Sequence, residues 1–159
     1  MRVPDFQPTP YEKDSRFVRD KSGGLVWHRA SQRVLFADTD RTGAVYHANY
    51  LRLFELGRVT LLRDRGFPLR QVEADGFVYP IFQLGLDYFR PLDYDDPMWI
   101  HTRFRELRPV TVDFDYVITH AESGLVLCRG FTRHCATNRK GRPVAVDPVT
   151  VKIFHEFPV

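Results

Sequence analysis

The sequence predicts an α+β domain in which one long helix is held by a curled antiparallel sheet of five or six strands. Two observations predict it. A 3.6-residue apolar period runs at length only once, over residues 48–65. From Gly76 onward, apolar and polar residues alternate in segment after segment, separated by Gly, Pro and Asp turns. A single helix followed by four or five strands can bury its apolar stripe only against their sheet. The 159 residues suit one domain.

Taken in order, residues 1–24 carry Pro4, Pro8 and Pro10, then a charged segment ending in Gly23-Gly24. No period of 2 or 3.6 is visible there. They are expected to form an extended lead-in, anchored by Phe6, Tyr11 and Phe17, to a domain spanning 25–159. Leu25 to Ala37 reads as a strand, Asp38 to Tyr46 as a turn, and 48–65 as the helix. Tyr50, Phe54, Gly57 and Leu61 share one helix face, with Leu51 and Leu62 on one flank and Leu53 on the other. Gly57 within a helix costs about 1 kcal/mol against Ala, which makes sense if the sheet comes close there. Gly66-Phe67-Pro68 stops the helix. Strands are then expected over Phe77–Arg90, Met98–Leu107, Thr111–His120 and Leu125–Asn138, and a last one over Val144–Phe154 broken near Pro148.

Composition excludes several functions. A formal net charge of +3 suits an anionic ligand, but no run of basic residues supports nucleic-acid binding. No window approaches the roughly 18 apolar residues of a membrane-spanning helix. The first residues lack the apolar core of a secretory signal. Cys128 and Cys135 fall on opposite faces of one expected strand, so they do not bridge each other. No Cys/His cluster suggests zinc, and no metal is expected. A cytoplasmic location follows as the expectation.

Chemistry concentrates between Val34 and Arg65, where Asp38, Asp40 and His47 gather at a strand-to-helix junction. Asp38-Thr39-Asp40-Arg41-Thr42-Gly43 imitates half a calcium loop, but Asn49 stands where the bidentate Glu is needed and a strand, not a helix, comes first. Free N–H groups at a helix start can polarise a carbonyl and hold an oxyanion. A carboxylate just before that start can attack the carbonyl or activate water. Spacing alone equally allows both aspartates to be turn-formers and His47 a packed or capping residue. Asn49 fits an N-cap or first-turn position.

The stretch ADTDRTGAVYHANYLRLFE, with its flanking strand and helix, resembles the hotdog-fold acyl-CoA thioesterases of the 4-hydroxybenzoyl-CoA thioesterase superfamily. Within it, the branch of Tol–Pal-associated thioesterases is the nearest in pattern. LGLDYFRPLDYDDPMWIHTRF resembles that family's next strands, and the likeness spans roughly residues 25–150. The resemblance implies a hotdog fold and a thioester hydrolase. It implies Asp40 as general base or nucleophile, and the backbone N–H of His47 as the group polarising the carbonyl. Tyr46, the His47 imidazole and Asn49 would line the site, with Asp38 a turn-former. It further implies a homo-oligomer, a dimer or tetramer with the site between subunits. No cofactor is implied; coenzyme A enters only as part of the acyl-CoA substrate.

The phosphates of coenzyme A need exposed cations. Arg105 and Arg108, near a hairpin between central strands, are the first candidates, and Arg139, Lys140 and Arg142 the second. Glu55 is expected to pair with Arg52 or Arg58 on its own helix. Two alternatives stand beside an aliphatic acyl-CoA thioesterase. One is a hydrolase of aromatic thioesters of the 4-hydroxybenzoyl or dihydroxynaphthoyl type. The other is a non-catalytic module that binds acyl-CoA or an acylated carrier protein.

Overall fold

Apolar periodicity builds the centre of the molecule as expected. A computed structural model describes residues 1–158. The strands are β1 (Pro8–Pro10), β2 (Phe17–Asp20), β3 (Val26–Arg33), β4 (Phe77–Val78), β5 (Ile81–Tyr88), β6 (Pro97–Leu107), β7 (Thr111–His120), β8 (Val126–Cys135) and β9 (Thr137–Asn138). The helices are α1 (Asn49–Asp64), α2 (Leu69–Ala74) and α3 (Pro148–Glu156). Seven strands form one sheet in the order β1-β2-β3-β6-β7-β8-β5, antiparallel throughout, while β4 and β9 pair separately.

The long helix α1 packs on β3, β6 and β7. Its buried residues are Tyr50, Leu53, Phe54, Gly57, Leu61 and Leu62. They meet Ile100, Phe104, Phe114, Tyr116 and Ile118 of the sheet in a single core. Leu51, expected on the buried flank, is 37% exposed.

Gly57 is where the sheet comes closest. A Cβ built there would lie 2.4 Å from Thr102 Oγ1 and 2.7 Å from Ile100 Cγ2. Gly57→Ala is therefore expected to lower unfolding free energy by about 1–2 kcal/mol. The overpacking outweighs the gain in helix propensity of about 1 kcal/mol. A urea midpoint equal to or above the wild-type value would contradict that close approach.

The sheet exceeds the expected five or six strands because residues 8–20 add two. Phe17 is fully buried and Val18 nearly so, while Pro8-Thr9-Pro10 forms the outermost strand. Proline lacks the N–H that an edge strand would otherwise present, so this strand also blunts the edge. Strands of three or four residues are too short for a period to register. On the outer face of the sheet, Phe6 returns to pack with Val18, Trp27, Val117 and Val126.

Three further readings are corrected. Val144–Phe154 is not a strand, because Asp147 caps α3 by accepting from the Thr150 N–H at 2.8 Å. Pro148 then sits in the first helical turn, where its missing N–H does no harm. The strand expected over Phe77–Arg90 divides at Tyr79-Pro80 into β4 and β5. The short helix α2 was not anticipated. Cys128 and Cys135 are free thiols.

Three histidines are buried: His28, His101 and His134. His28 Nε2 lies 2.8 Å from Asp64 Oδ2 and ties β3 to the end of α1. Burial lowers its pKa, with Asp64 pulling the other way. Burial takes His134 down to about 4 and His101 to about 3. The folded state therefore prefers all three neutral, whereas the unfolded chain protonates them near 6.5. Their stability contribution is complete above 6.5 and is lost as pH falls below it, by at most about 1.4 kcal/mol per pH unit for each. The urea midpoint should fall between about pH 6.5 and 4.5, and less steeply in His134→Gln. Equal slopes in the two proteins would contradict this.

Candidate active site

The site is built where the chain leaves β3 and turns into α1. A short 3-10 turn, Phe36–Asp38, makes the corner. The buried Asp38 holds that corner together. Its Oδ2 accepts from the Leu35 N–H at 3.1 Å, and its Oδ1 pairs with Arg52. The Asp38 carbonyl accepts from the Tyr46 N–H and from Asn49 Nδ2, both at 2.9 Å. Asp38 is thus the turn-former, and Asn49 is a first-turn residue that fastens the helix start to it.

Asp40 opens a tight loop closed by Gly43, whose φ of +87° suits glycine. The Asp40 N–H donates to Ala44 O, and the Gly43 N–H returns to Asp40 O. The carboxylate is fully exposed. Its Oδ1 accepts from the Thr42 N–H at 2.7 Å and the Thr42 hydroxyl at 2.5 Å. These bonds hold Asp40 below the ordinary carboxylate value of 3.8, and the nearby His47 adds to the effect. Oδ1 is committed; Oδ2 remains available to attack or to take a proton.

His47 follows at the entrance to α1. The backbone N–H groups of His47 and Ala48 have no acceptor within the described residues, and no side chain caps the helix. These are orphan donors at the positive end of a four-turn helix. Tyr88 holds the His47–Ala48 peptide in place by donating its hydroxyl to the His47 carbonyl at 2.7 Å. The Tyr88 ring meets Tyr50 edge-on at 5.1 Å, and the Tyr46 ring lies 4.3 Å from that of His47. An open groove of about 310 Å³ runs past Ala44, Val45, His47, Tyr50, Tyr88 and Arg90.

Of the expected site residues, His47 lines this groove, Tyr46 packs on His47, Asp40 lies near enough to feel its charge, and Asn49 braces the corner through Asp38, while Arg105 and Arg108 lie elsewhere. Ile100, Phe104 and their alternates on β6 face α1, so Arg105 faces the outer side. It lies about 16 Å along the strand from the Tyr88–Cys128–Ile118–Ile100 row beside the groove. Its guanidinium sits 5.2 Å from the Phe131 ring and 3.6 Å from Asp115. Arg108, in the β6–β7 hairpin, pairs with Glu106 and with Asp113 at 3.0 Å. Arg139 of the late turn donates to the carbonyls of Glu73 and Ala74. Arg90, which pattern reading passed over, is the cation in the groove itself. Tyr88 was passed over too, although both stand in the quoted run LGLDYFRPL. Glu55 is not ion-paired as expected: it is exposed, Arg52 is taken by Asp38, and Arg58 turns to Tyr116.

An ionised carboxylate beside unpaired N–H groups at a helix start is an arrangement for attack on an activated carbonyl. The chain belongs to the thioesterase-like superfamily, whose family model matches residues 34–154. It is similar to the acyl-CoA thioesterase YbgC of Haemophilus influenzae, at 30% identity over 79% of this chain and 92% of that protein. The acyl-CoA thioester hydrolase YbgC of Escherichia coli is 28% identical over 78% of this chain and 92% of its own length. A crystal structure titled as a probable thioesterase from Bartonella henselae superposes with a TM-score of 0.71 at 32% identity, covering 76% of this chain and 99% of that one. The fold is the hotdog fold.

Proposed function

We infer that this chain hydrolyses the thioester of an acyl-CoA to a free acid and coenzyme A. One observation carries the reading: the unpaired His47 N–H stands at the start of α1 beside an exposed, ionised Asp40. The thioester carbonyl oxygen accepts from the His47 N–H, which stabilises the oxyanion as it forms. Asp40 Oδ2 takes a proton from water, whose oxygen adds to the carbonyl carbon; the C–S bond then breaks and the thiolate leaves. With Asp40 as nucleophile, Oδ2 adds instead and water later splits the mixed anhydride. Tyr88 acts by positioning, because its bond to the His47 carbonyl holds the His47–Ala48 peptide at the helix entrance. Arg90 at the groove rim is the cation best placed in this chain for the coenzyme A phosphates.

The working unit in this reading is at least a dimer. Strand β5 is the last of its sheet and bonds only to β8. It leaves Ile81, Phe82, Leu84 and Tyr88 exposed, with Phe82 at 56%. Two such edges pairing antiparallel would cover these side chains and close the half-open groove. The two free thiols suit a reducing cytoplasm, and no helix is long and apolar enough to cross a membrane.

The test is release of thiol and acid from short aliphatic, long aliphatic and aromatic acyl-CoAs. Equal amounts of both products from at least one of them are expected. Tight binding of acyl-CoA without release from any would favour a non-catalytic module.

A further inference from the structure

The loop that carries Asp40 holds a second polar side chain, and it is bonded to the same carboxylate. Thr39 pairs with Val45 across the base of this loop, and the Gly43 N–H donates to Asp40 O at 3.0 Å. The Thr42 N–H donates to Asp40 Oδ1 at 2.7 Å and closes the turn from inside. That bond belongs to the backbone, so any residue except proline at position 42 could make it. The turn itself does not call for a hydroxyl. Position 42 supplies one nonetheless, and Thr42 Oγ1 lies 2.5 Å from the same Oδ1.

The direction of this second bond is fixed. An ionised carboxylate has no proton to give, so Thr42 Oγ1 is the donor. Behind it, the Ala44 N–H points at Oγ1 from 3.5 Å and leaves the hydroxyl proton free for Asp40. Polarity runs one way, from the Ala44 N–H to Oγ1 and from the Oγ1 proton to Oδ1. Thr42 is exposed and takes no part in the hydrophobic core, so the bond to Asp40 is the main contact its side chain makes.

An exposed aspartate ordinarily moves among its rotamers. Here two donors from one residue hold Oδ1, while Oδ2 accepts nothing among the described residues. A general base must lie within about 3 Å of the proton it takes, and small misplacements of a reacting group cost much of the rate. The same two bonds favour the charged form. The hydroxyl lowers the Asp40 pKa most and the Thr42 N–H next; lost hydration opposes them, and the nearby His47 adds to the lowering. Thr42 therefore keeps the carboxylate both ionised and oriented, at some cost in basicity.

We propose that Thr42 is a positioning residue whose hydroxyl pins Asp40 Oδ1 and so makes Oδ2 the oxygen presented to water or to the thioester carbon. The proposal rests on the thioesterase reading.

The test measures kcat, KM and the pH profile on the best acyl-CoA of the panel for wild type, Thr42→Val and Thr42→Ser. Valine keeps the branched shape and the backbone N–H bond and removes only the hydroxyl. Thr42→Val is expected to lower kcat about tenfold with KM unchanged, the scale of one hydrogen bond to a charged group. The acid limb of its kcat/KM profile should move to higher pH, because the bond that lowers the Asp40 pKa most is gone. Thr42→Ser should recover most of the rate. In an Asp40→Asn background, Thr42→Val should cost nothing further. A wild-type kcat or an unmoved acid limb in Thr42→Val overturns the proposal and leaves the thioesterase reading standing. So does a Thr42→Ser protein as slow as Thr42→Val, or an equal loss in the Asp40→Asn background. A wild type that hydrolyses no thioester of the panel overturns both.

Discussion

Asp40→Asn is expected to lower kcat at least about a hundredfold while leaving fold and oligomeric state unchanged. The carboxylate is fully exposed, and its only bonds are those it accepts from Thr42. An asparagine Oδ1 accepts the same two bonds, so the loop persists and only the base is lost. Asp38→Asn provides the contrast. Asp38 is buried, pairs with Arg52 and caps the corner at Leu35. Weakening that pair should lower stability by about 1–3 kcal/mol with a smaller effect on chemistry. The pH profile gives a second check. Asp40 lies below 3.8, so the acid limb of kcat/KM should fall below the range where histidine titrates. An acid limb in the histidine range would remove Asp40 as the base.

Phe82→Asp should yield a monomer and reduce turnover on the order of a hundredfold. Strand β5 carries no proline or lysine to discourage pairing, yet its edge is open and apolar. An unpaired edge of this kind is an aggregation risk unless a partner occupies it. An aspartate at Phe82 would put a carboxylate on the edge strand of each subunit, where pairing would desolvate it. Without the neighbour, Asp40 and the His47 N–H stay open to bulk water, and water weakens the electrostatic stabilisation they provide. Light scattering of both proteins decides it, with the chain mass of 18.6 kDa as reference. A wild-type monomer with full turnover would remove the dimer from the reading.

The parts of this protein legible in its sequence are those where one period repeats for two or more turns or pairs. The helix face of Tyr50, Phe54, Gly57 and Leu61 is buried as its spacing predicts, and Gly57 meets the sheet. The hairpin of β6 and β7 was legible for the same reason. Pro8–Pro10 and Phe17–Asp20 were not, because strands this short carry no period and depend on β3 for their pairing. The last helix was misread because Pro148 interrupts a strand pattern as readily as it starts a helix. Only the Asp147 cap distinguishes the two.

At the site, local sequence brought Asp38, Asp40, Tyr46, His47 and Asn49 together because they are neighbours in the chain. Tyr88 and Arg90 reach them only through the placement of β5 at the sheet edge. A two-residue period likewise separates Arg105 from Phe104 but does not say which faces the helix. Strand order, set by long-range pairing, decides that. Arg58 was read as a helical ion-pair partner, and its actual bond to Tyr116 depends on β7 lying beneath the helix.

The central claim is that the thioester carbonyl rests on the His47 N–H within reach of Asp40. An inert analogue of the best substrate from the acyl-CoA panel, with CH2 in place of sulfur, retains that carbonyl. Its effect on the backbone amide resonance of His47 tests the claim most directly. The expected result is a downfield shift of the His47 amide proton on saturation, preserved in Asp40→Asn. Saturable binding that leaves the amides of residues 46–49 unmoved would contradict it.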